Sequence, residues 1–294
     1  MIDIESCKES LNPSNIYKWI VNQINFYRNN PDYFEADGLV VFCGPQGSGK
    51  SLSAVNYVYK LLEKFPKSII VTNIILQDYP IVTFDEWLIK ELERYDELDK
   101  LSFSDDLTEE EVNEKRQELY NYYYPVYLKN NRVFEFRDND DFQRYENDDR
   151  GVIFLVDEIQ LYLNSLASKN INMDVITQIS QQRKQRKHIV CTSQVFGRLA
   201  KPLREQFSCV ILCSSYFRFF QINKLIDRDS MDGDDSTGTN LKGTVKKKFF
   251  WFHHPNMYKR YDTYFVIDRN KFVSGEEQLS IYSNPQFINK EKEK

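Results

Sequence analysis

The chain of 294 residues carries 39 Lys and Arg against 44 Asp and Glu, a net charge of −5, with 41% hydrophobic and 15% aromatic residues. Those values describe a globular protein able to bury a substantial core, and they exclude binding of nucleic acid through the bulk charge of the whole chain. Acid concentrates in residues 85–149 and base in 183–204 and 242–248.

No apolar run reaches the roughly 18 residues that a membrane span needs. The first residues, with Asp3, Glu5 and Glu9, lack a signal peptide's basic and apolar regions. A cytoplasmic protein with no membrane span of its own is the expectation. Of the five cysteines (Cys7, Cys43, Cys191, Cys209, Cys213), none forms a C-x-x-C and four lie in or beside apolar runs. They read as small buried hydrophobes in a reducing compartment.

In chain order, residues 1–37 form an N-terminal helical segment. Its helix, from Asn15 to about Phe26, sets Ile16, Trp19, Ile20 and Ile24 on one face, and packing of that face on the core is expected. Leu39-Val-Val-Phe42 then reads as a buried strand leading into Gly44-Pro-Gln-Gly-Ser-Gly-Lys-Ser51, which fits G-x-x-x-x-G-K-S, and helical spacing follows from Leu52 to Leu62. A polyphosphate must lie almost against the backbone in such a loop, and only glycine lets several N–H groups converge on it. Gly44, Gly47 and Gly49 meet that need, and Pro45, Gln46, Ser48 and Leu52 complete the expected nucleotide-binding stretch. Lys50 can reach the β- and γ-phosphates of ATP, and the Ser51 hydroxyl can hold Mg2+.

Ser68 to Ile74 reads as a second buried strand ending in Thr72 and Asn73, which either sense nucleotide or cap the strand end. Residues 85–150 form a charged insertion: a helix from Asp85 to Lys100, another from Glu109 to Tyr120, a Tyr-rich stretch from Tyr120 to Tyr127, and a short strand at Arg132–Phe136. The tyrosines invite base stacking, but the surrounding acid favours packing on the core. Val152-Ile-Phe-Leu-Val156 then runs into Asp157-Glu158, two carboxylates at the ligand edge of a buried strand. Asp157 suits the metal site beside Ser51, and Glu158 suits polarisation of the attacking water.

A helix from Asn172 to about Lys187 ends in a basic run holding Arg183 and Arg186, candidates for an arginine finger donated across a subunit boundary. His188 to Gln194 is a further core strand, with Gln194 placed to report the γ-phosphate. Phe196–Gln206 reads as a short basic helix and Ser208–Cys213 as the fifth strand. Residues 214–273 form a β-rich extension, in which Tyr216–Ile222 and Val245–Phe252 can pair across a polar loop and Thr263–Asp268 adds a strand. A polar tail fills 274–294. The adjacent His253 and His254 have no matching metal-ligand cluster.

The assembled pattern resembles the Zot-like (zonular occludens toxin domain) ATPases of phages, within the FtsK–HerA group of P-loop motors. The resemblance runs from about Leu39 to Cys213 and rests on Gly44–Ser51, Val71–Ile74, Val156–Glu158, and Arg183 ahead of a strand ending in Thr192-Ser-Gln194, with a weaker echo at Tyr258–Thr263. It implies an α/β P-loop NTPase whose core spans 38–213, with a parallel-core sheet of five strands flanked by helices. It further implies that Lys50 and Ser51 bind phosphate and Mg2+, Asp157 completes the metal site, Glu158 is the base, Arg183 the preferred finger and Gln194 the sensor. The activity implied is ATP hydrolysis by a homo-oligomeric ring, often a hexamer, that moves DNA during virion assembly or packaging. The chain departs from membrane-bound members in showing no transmembrane helix, so a soluble motor or a subunit joining a phage structural or membrane assembly protein fits better. A nucleotide-gated assembly module that binds capsid or coat protein and hydrolyses slowly fits the acidic insertion as well. A small-molecule kinase fits less, for want of an arginine-rich lid.

Overall fold

The computed structural model describes residues 13–35, 38–101, 108–164, 173–227 and 243–261. Eight strands form one sheet: β1 (Leu39–Cys43), β2 (Ile69–Thr72), β3 (Val133–Glu135), β4 (Val152–Val156), β5 (Lys187–Ser193), β6 (Phe207–Tyr216), β7 (Phe220–Ile226) and β8 (Val245–Phe252), in the order β3-β2-β4-β5-β1-β6-β7-β8. The strands from β3 to β6 pair in parallel, and β7 and β8 continue the same sheet antiparallel. The parallel part therefore has six strands rather than five, because the three-residue β3 of the insertion docks in register beside β2, Ile70 opposite Val133.

The central strands read as uninterrupted apolar runs because both of their faces are covered. On one face, helix α2 (Lys50–Lys64, following α1 at Pro13–Asn29) packs Ala54, Val55, Val58 and Leu62 against Val40, Phe42, Ile153 and Leu155. On the other, Val41, Phe154 and Val156 meet Leu88 and Leu92 of α3 (Phe84–Arg94), Tyr123 and Tyr127 of α4 (Glu109–Asn130), and Val175 and Ile179 of α6 (Met173–Gln181), with the one-turn α5 (Asp141–Arg144) between them in sequence. Both α3 and α4 open with a complete capping box, Thr83 with Glu86 and Thr108 with Glu111, which fixes where each helix starts.

Several elements differ from the sequence reading. Helix α4 runs through the tyrosine stretch and past Pro125 to Asn130. Proline removes one backbone hydrogen bond inside a helix, and burial of Tyr127 against Phe84 and Phe134, with Tyr123 buried in the same cluster, outweighs that loss. Residues 196–206 form two separate turns, a 3-10 turn at Phe196–Arg198 and α7 (Lys201–Arg204). The first strand of the terminal hairpin starts at Phe220, not Tyr216, since β6 continues to Tyr216 and the chain reverses at Phe217 and Arg218, both at positive φ. Among the cysteines, Cys43, Cys191 and Cys213 are buried free thiols. Cys7, the strand expected at 263–268 and the tail at 274–294 lie outside the described residues.

The apolar face of α1 does not pack on the core as expected: none of its residues is buried, with Trp19 63% and Ile24 59% exposed. Helical periodicity marks a face but not what covers it. Its C-terminal end packs on its own linker, where the Phe26 and Tyr33 rings meet edge to face at 4.8 Å, and Tyr33 in turn lies under the Arg186 guanidinium. Among the described residues no helix is long and apolar enough to cross a membrane.

Phe34 then plugs the sheet's lower edge. It is fully buried, packs on Phe65 at 4.7 Å, and lies where a Cβ on Gly151 would approach its ring to 2.1 Å. Gly151 also has φ +75°, so both conformation and space demand glycine. We expect Phe34→Ala to cost about 3–5 kcal/mol, as truncation of a buried aromatic does, read as a fall in the urea midpoint. A loss below about 1 kcal/mol would show that α1 and its linker are not anchored here.

Candidate nucleotide site

The phosphate loop leaves β1 at Gly44 and enters α2 at Lys50, so the amides of the first helical turn face the carboxyl edge of the sheet. Its shape depends on glycine at two points where other residues would fail. Gly47 and Gly49 both have φ +77°, and a Cβ on Gly49 would sit 2.3 Å from the Gln221 side-chain oxygen. Ser48 is buried and Leu52 faces the core, whereas Pro45 and Gln46 are exposed at the loop's tip.

In the sheet, β5 stands between β1 and β4, which opens a slot of roughly 10 Å between the loop strand and the acidic strand. Side chains from three elements close on that slot. The Ser51 hydroxyl donates to Asp157 Oδ1 at 2.9 Å, and Thr192, at the end of the intervening β5, donates to the same oxygen at 2.5 Å. Lys50 Nζ lies 3.1 Å from Glu158 Oε1, to which Gln194 Nε2 also donates at 3.1 Å, while the Gln160 amide donates to Oε2. The structure thus brings Lys50, Ser51, Asp157, Glu158 and Gln194 to one place from three separated segments.

Backbone constraints aim the two carboxylates. Asn73, at the end of β2, brackets Asp157 by accepting from its N–H at 2.8 Å and donating to its carbonyl at 3.0 Å. It is a positioning residue, while Thr72 accepts from the Ile74 N–H and caps the strand end. Glu158 sits in the left-handed region at φ 51°, ψ 48°, a conformation costing on the order of 1 kcal/mol for a non-glycine residue. Its N–H donates to Thr192 Oγ1 at 2.9 Å, which holds the turn. Burial pushes the Asp157 carboxyl above its ordinary pKa, and the hydrogen bonds from Thr192 and Ser51 oppose that shift.

Sequence reading missed a second support. Gln221, fully buried on β7, donates from Nε2 to the Ser48 carbonyl at 3.0 Å and to Asn223 Oδ1 at 2.8 Å. Both amide hydrogens are committed, so its Oε1 accepts from Nε2 of His253 at 3.0 Å. Only the in–out alternation along β7 hints that Gln221 and Asn223 share a face. Nothing local says that the face meets the phosphate loop.

The arginines lie elsewhere. Arg183 and Arg186 precede β5, at the edge opposite the nucleotide loop: Arg183 Nε is 3.5 Å from where a Cβ on Gly38 would stand, just before β1. Arg186 is engaged within its own chain, 4.0 Å over the Tyr33 ring and 3.7 Å from Asp149, while Arg183 is exposed. Neither can reach its own chain's slot across the five-residue strands, which span roughly 16 Å.

Because folding raises the Asp157 pKa, the folded chain binds more protons than the unfolded one just above the ordinary carboxylate range, and stability falls as pH rises through that window. Asp157→Asn removes a half-buried charge while keeping an acceptor for Ser51. We expect its urea midpoint at pH 7 to equal or exceed that of the wild type; a loss above about 1 kcal/mol would make the carboxylate a net stabiliser instead.

The layout is that of a P-loop NTPase: a mainly parallel sheet flanked by helices, with the glycine loop and the acidic strand end at one edge. No family model and no curated protein matches the chain. Among solved structures it is similar to the N-terminal domain of zonular occludens toxin from Neisseria meningitidis, at 16% identity over 76% of this chain and 99% of that one, TM-score 0.44. It is similar also to the genome packaging NTPase B204 of Sulfolobus turreted icosahedral virus 2, solved with ATP-gammaS, at 13% identity over 61% and 76%, TM-score 0.38. The flagellar accessory protein FlaH from Methanocaldococcus jannaschii matches at 12% identity over 74% and 85%, TM-score 0.37.

Proposed function

We propose that the chain hydrolyses ATP and, assembled as a homo-oligomeric ring of the Zot-like, FtsK–HerA kind, uses that energy to move DNA during phage assembly or packaging. The observation that carries the reading is the meeting of the loop pair Lys50–Ser51 with the acidic pair Asp157–Glu158. A phosphate-binding loop whose hydroxyl touches a half-buried carboxylate is equipped for a metal-bound triphosphate, whereas a loop alone is not.

The donor set fits magnesium, a hard cation that prefers hydroxyl, carboxylate and water oxygens. Ser51 and Asp157 would hold it, and when bound it would neutralise charge on the phosphates. The chain's own groups do the rest. Loop amides and the start of α2 receive phosphate oxygens, and Lys50 leaves Glu158 to reach them. That exchange frees one Glu158 oxygen to accept a proton from the attacking water, with Gln160 still holding the other. Gln194, bonded to the oxygen that Lys50 vacates, registers the change at the end of β5. Arg183, exposed at the opposite edge, is the finger offered to the next subunit, so a site completed across the ring couples neighbours. The inserted helices α3 and α4 are built into the core through Leu88, Leu92, Tyr123 and Tyr127, which favours the motor over a module whose insertion orders on binding ATP.

Glu158→Gln should bind ATP with near wild-type affinity and lose hydrolysis by about 100-fold or more, the range of a lost general base. Isothermal titration beside phosphate release measures both, and retained turnover would exclude Glu158 as base. In the same assay DNA should raise the wild-type rate, with an affinity that falls as salt rises; no response to DNA at low salt would remove the motor.

A further inference from the structure

The antiparallel hairpin has two faces with different fates. One bears Gln221 and Asn223 and lies on the phosphate loop and α2. The other bears Phe220, Ile222 and Lys224 of β7 and, opposite them, Phe252, Phe250 and Lys248 of β8. Strand β8 ends the sheet, and on this face Phe220, Ile222 and Lys224 are only half-buried. Phe250 is 59% and Phe252 66% exposed, and at the adjoining turn Phe217 is 86% exposed. The rings are ordered against one another: Phe219 on Phe252 and Phe220 on Phe250, each pair 6.2 Å apart with planes 10° from parallel. Exposed rings held parallel on a rigid sheet are unusual in a soluble monomer.

Charge identifies what the rings await. Lys224 and Lys248 stand directly across from each other on this face, a like-charge pair that destabilises a sheet. Among the described residues no acid pairs with either, and Asp227 is taken by Lys246 at 2.9 Å. The net negative chain thus presents, next to stacked phenylalanines, lysines whose repulsion a polyanion would relieve. Phosphate on lysine with a base on a ring is how single strands bind without sequence preference. A duplex keeps its bases stacked inside and leaves such rings unused.

We propose that the Phe219–Phe252 and Phe220–Phe250 face of the terminal hairpin binds single-stranded nucleic acid, bases on the rings and backbone phosphates on Lys224 and Lys248. This rests on the motor reading and deepens it by naming the form of the polymer. Because the reverse face of β7 holds the Ser48 carbonyl through Gln221, the strand is bound on one side of the sheet element that supports the phosphate loop on the other.

The test is anisotropy of fluorescein-labelled dT20 with the full chain, at two salt concentrations. Phe250→Ala and Phe252→Ala should each weaken binding about tenfold, from the stacking lost per base, and Phe250→Tyr, which keeps a ring, should restore it. Lys248→Ala should flatten the salt dependence, and a 20-base-pair duplex should bind more weakly than dT20. None of these residues lies in the nucleotide site, so basal ATP hydrolysis without DNA should be unchanged in all variants. Affinity within twofold of wild type in both alanine variants would overturn the proposal, as would tighter binding of the duplex. So would dissociation of an oligomer by the ring substitutions, which would make the face a contact between copies. A wild type that binds dT20 yet never hydrolyses ATP would remove the motor and leave this surface standing.

Discussion

One hydrogen bond, from the Ser51 hydroxyl to the Asp157 carboxylate across 106 residues of chain, is the constraint to which the rest of the site is fitted. Burying a carboxylate is costly unless donors surround it, and here Ser51, Thr192 and the Asn73 bracket supply the donors and the aim. Each donor comes from a different strand end or helix start. The pair therefore forms only when β1, β2, β4 and β5 are in register and the loop has turned into α2. A protein designed only for stability would place an apolar residue at 157; keeping a desolvated acid there makes sense if a cation is to be received.

The sheet's asymmetry follows from the same requirement. The parallel half, covered on both faces, gives rigid strand ends that hold Asn73, Asp157 and Thr192 within hydrogen-bonding distance. Among the described residues the antiparallel half is covered on one face only, and its covered face is the one that steadies the loop through Gln221. The interposed β5 separates loop from acids and supplies Thr192 and Gln194 to both carboxylates, which makes it the element best placed to transmit a change at the phosphates. At its other end lies the basic turn with Arg183, so one strand joins the slot to the opposite edge of the sheet.

How much of this was legible in the residues depends on how local each signal is. The glycine loop and the Val156-Asp-Glu strand end are short motifs with a fixed backbone need, and both lie where their residue types demand. The tyrosine stretch shows the limit of local reading: Pro125 marks a break by propensity, yet the helix continues because Tyr123 and Tyr127 gain more from the core than one hydrogen bond is worth. Helix α1 shows the converse, an apolar periodicity that predicts a covered face and finds none among the described residues. Gln221 was invisible because its partner is a backbone carbonyl far off in sequence, and the left-handed turn at Glu158 because no glycine announces it.

The most direct test is a crystal of the chain grown with Mn2+ and a non-hydrolysable ATP analogue, in which manganese is located by its anomalous scattering. The peak should stand between the Ser51 hydroxyl and the Asp157 side of the slot, with Lys50 moved from Glu158 onto the phosphates. An ordered nucleotide whose metal lies away from both Ser51 and Asp157, or with Lys50 still paired to Glu158, would contradict the account.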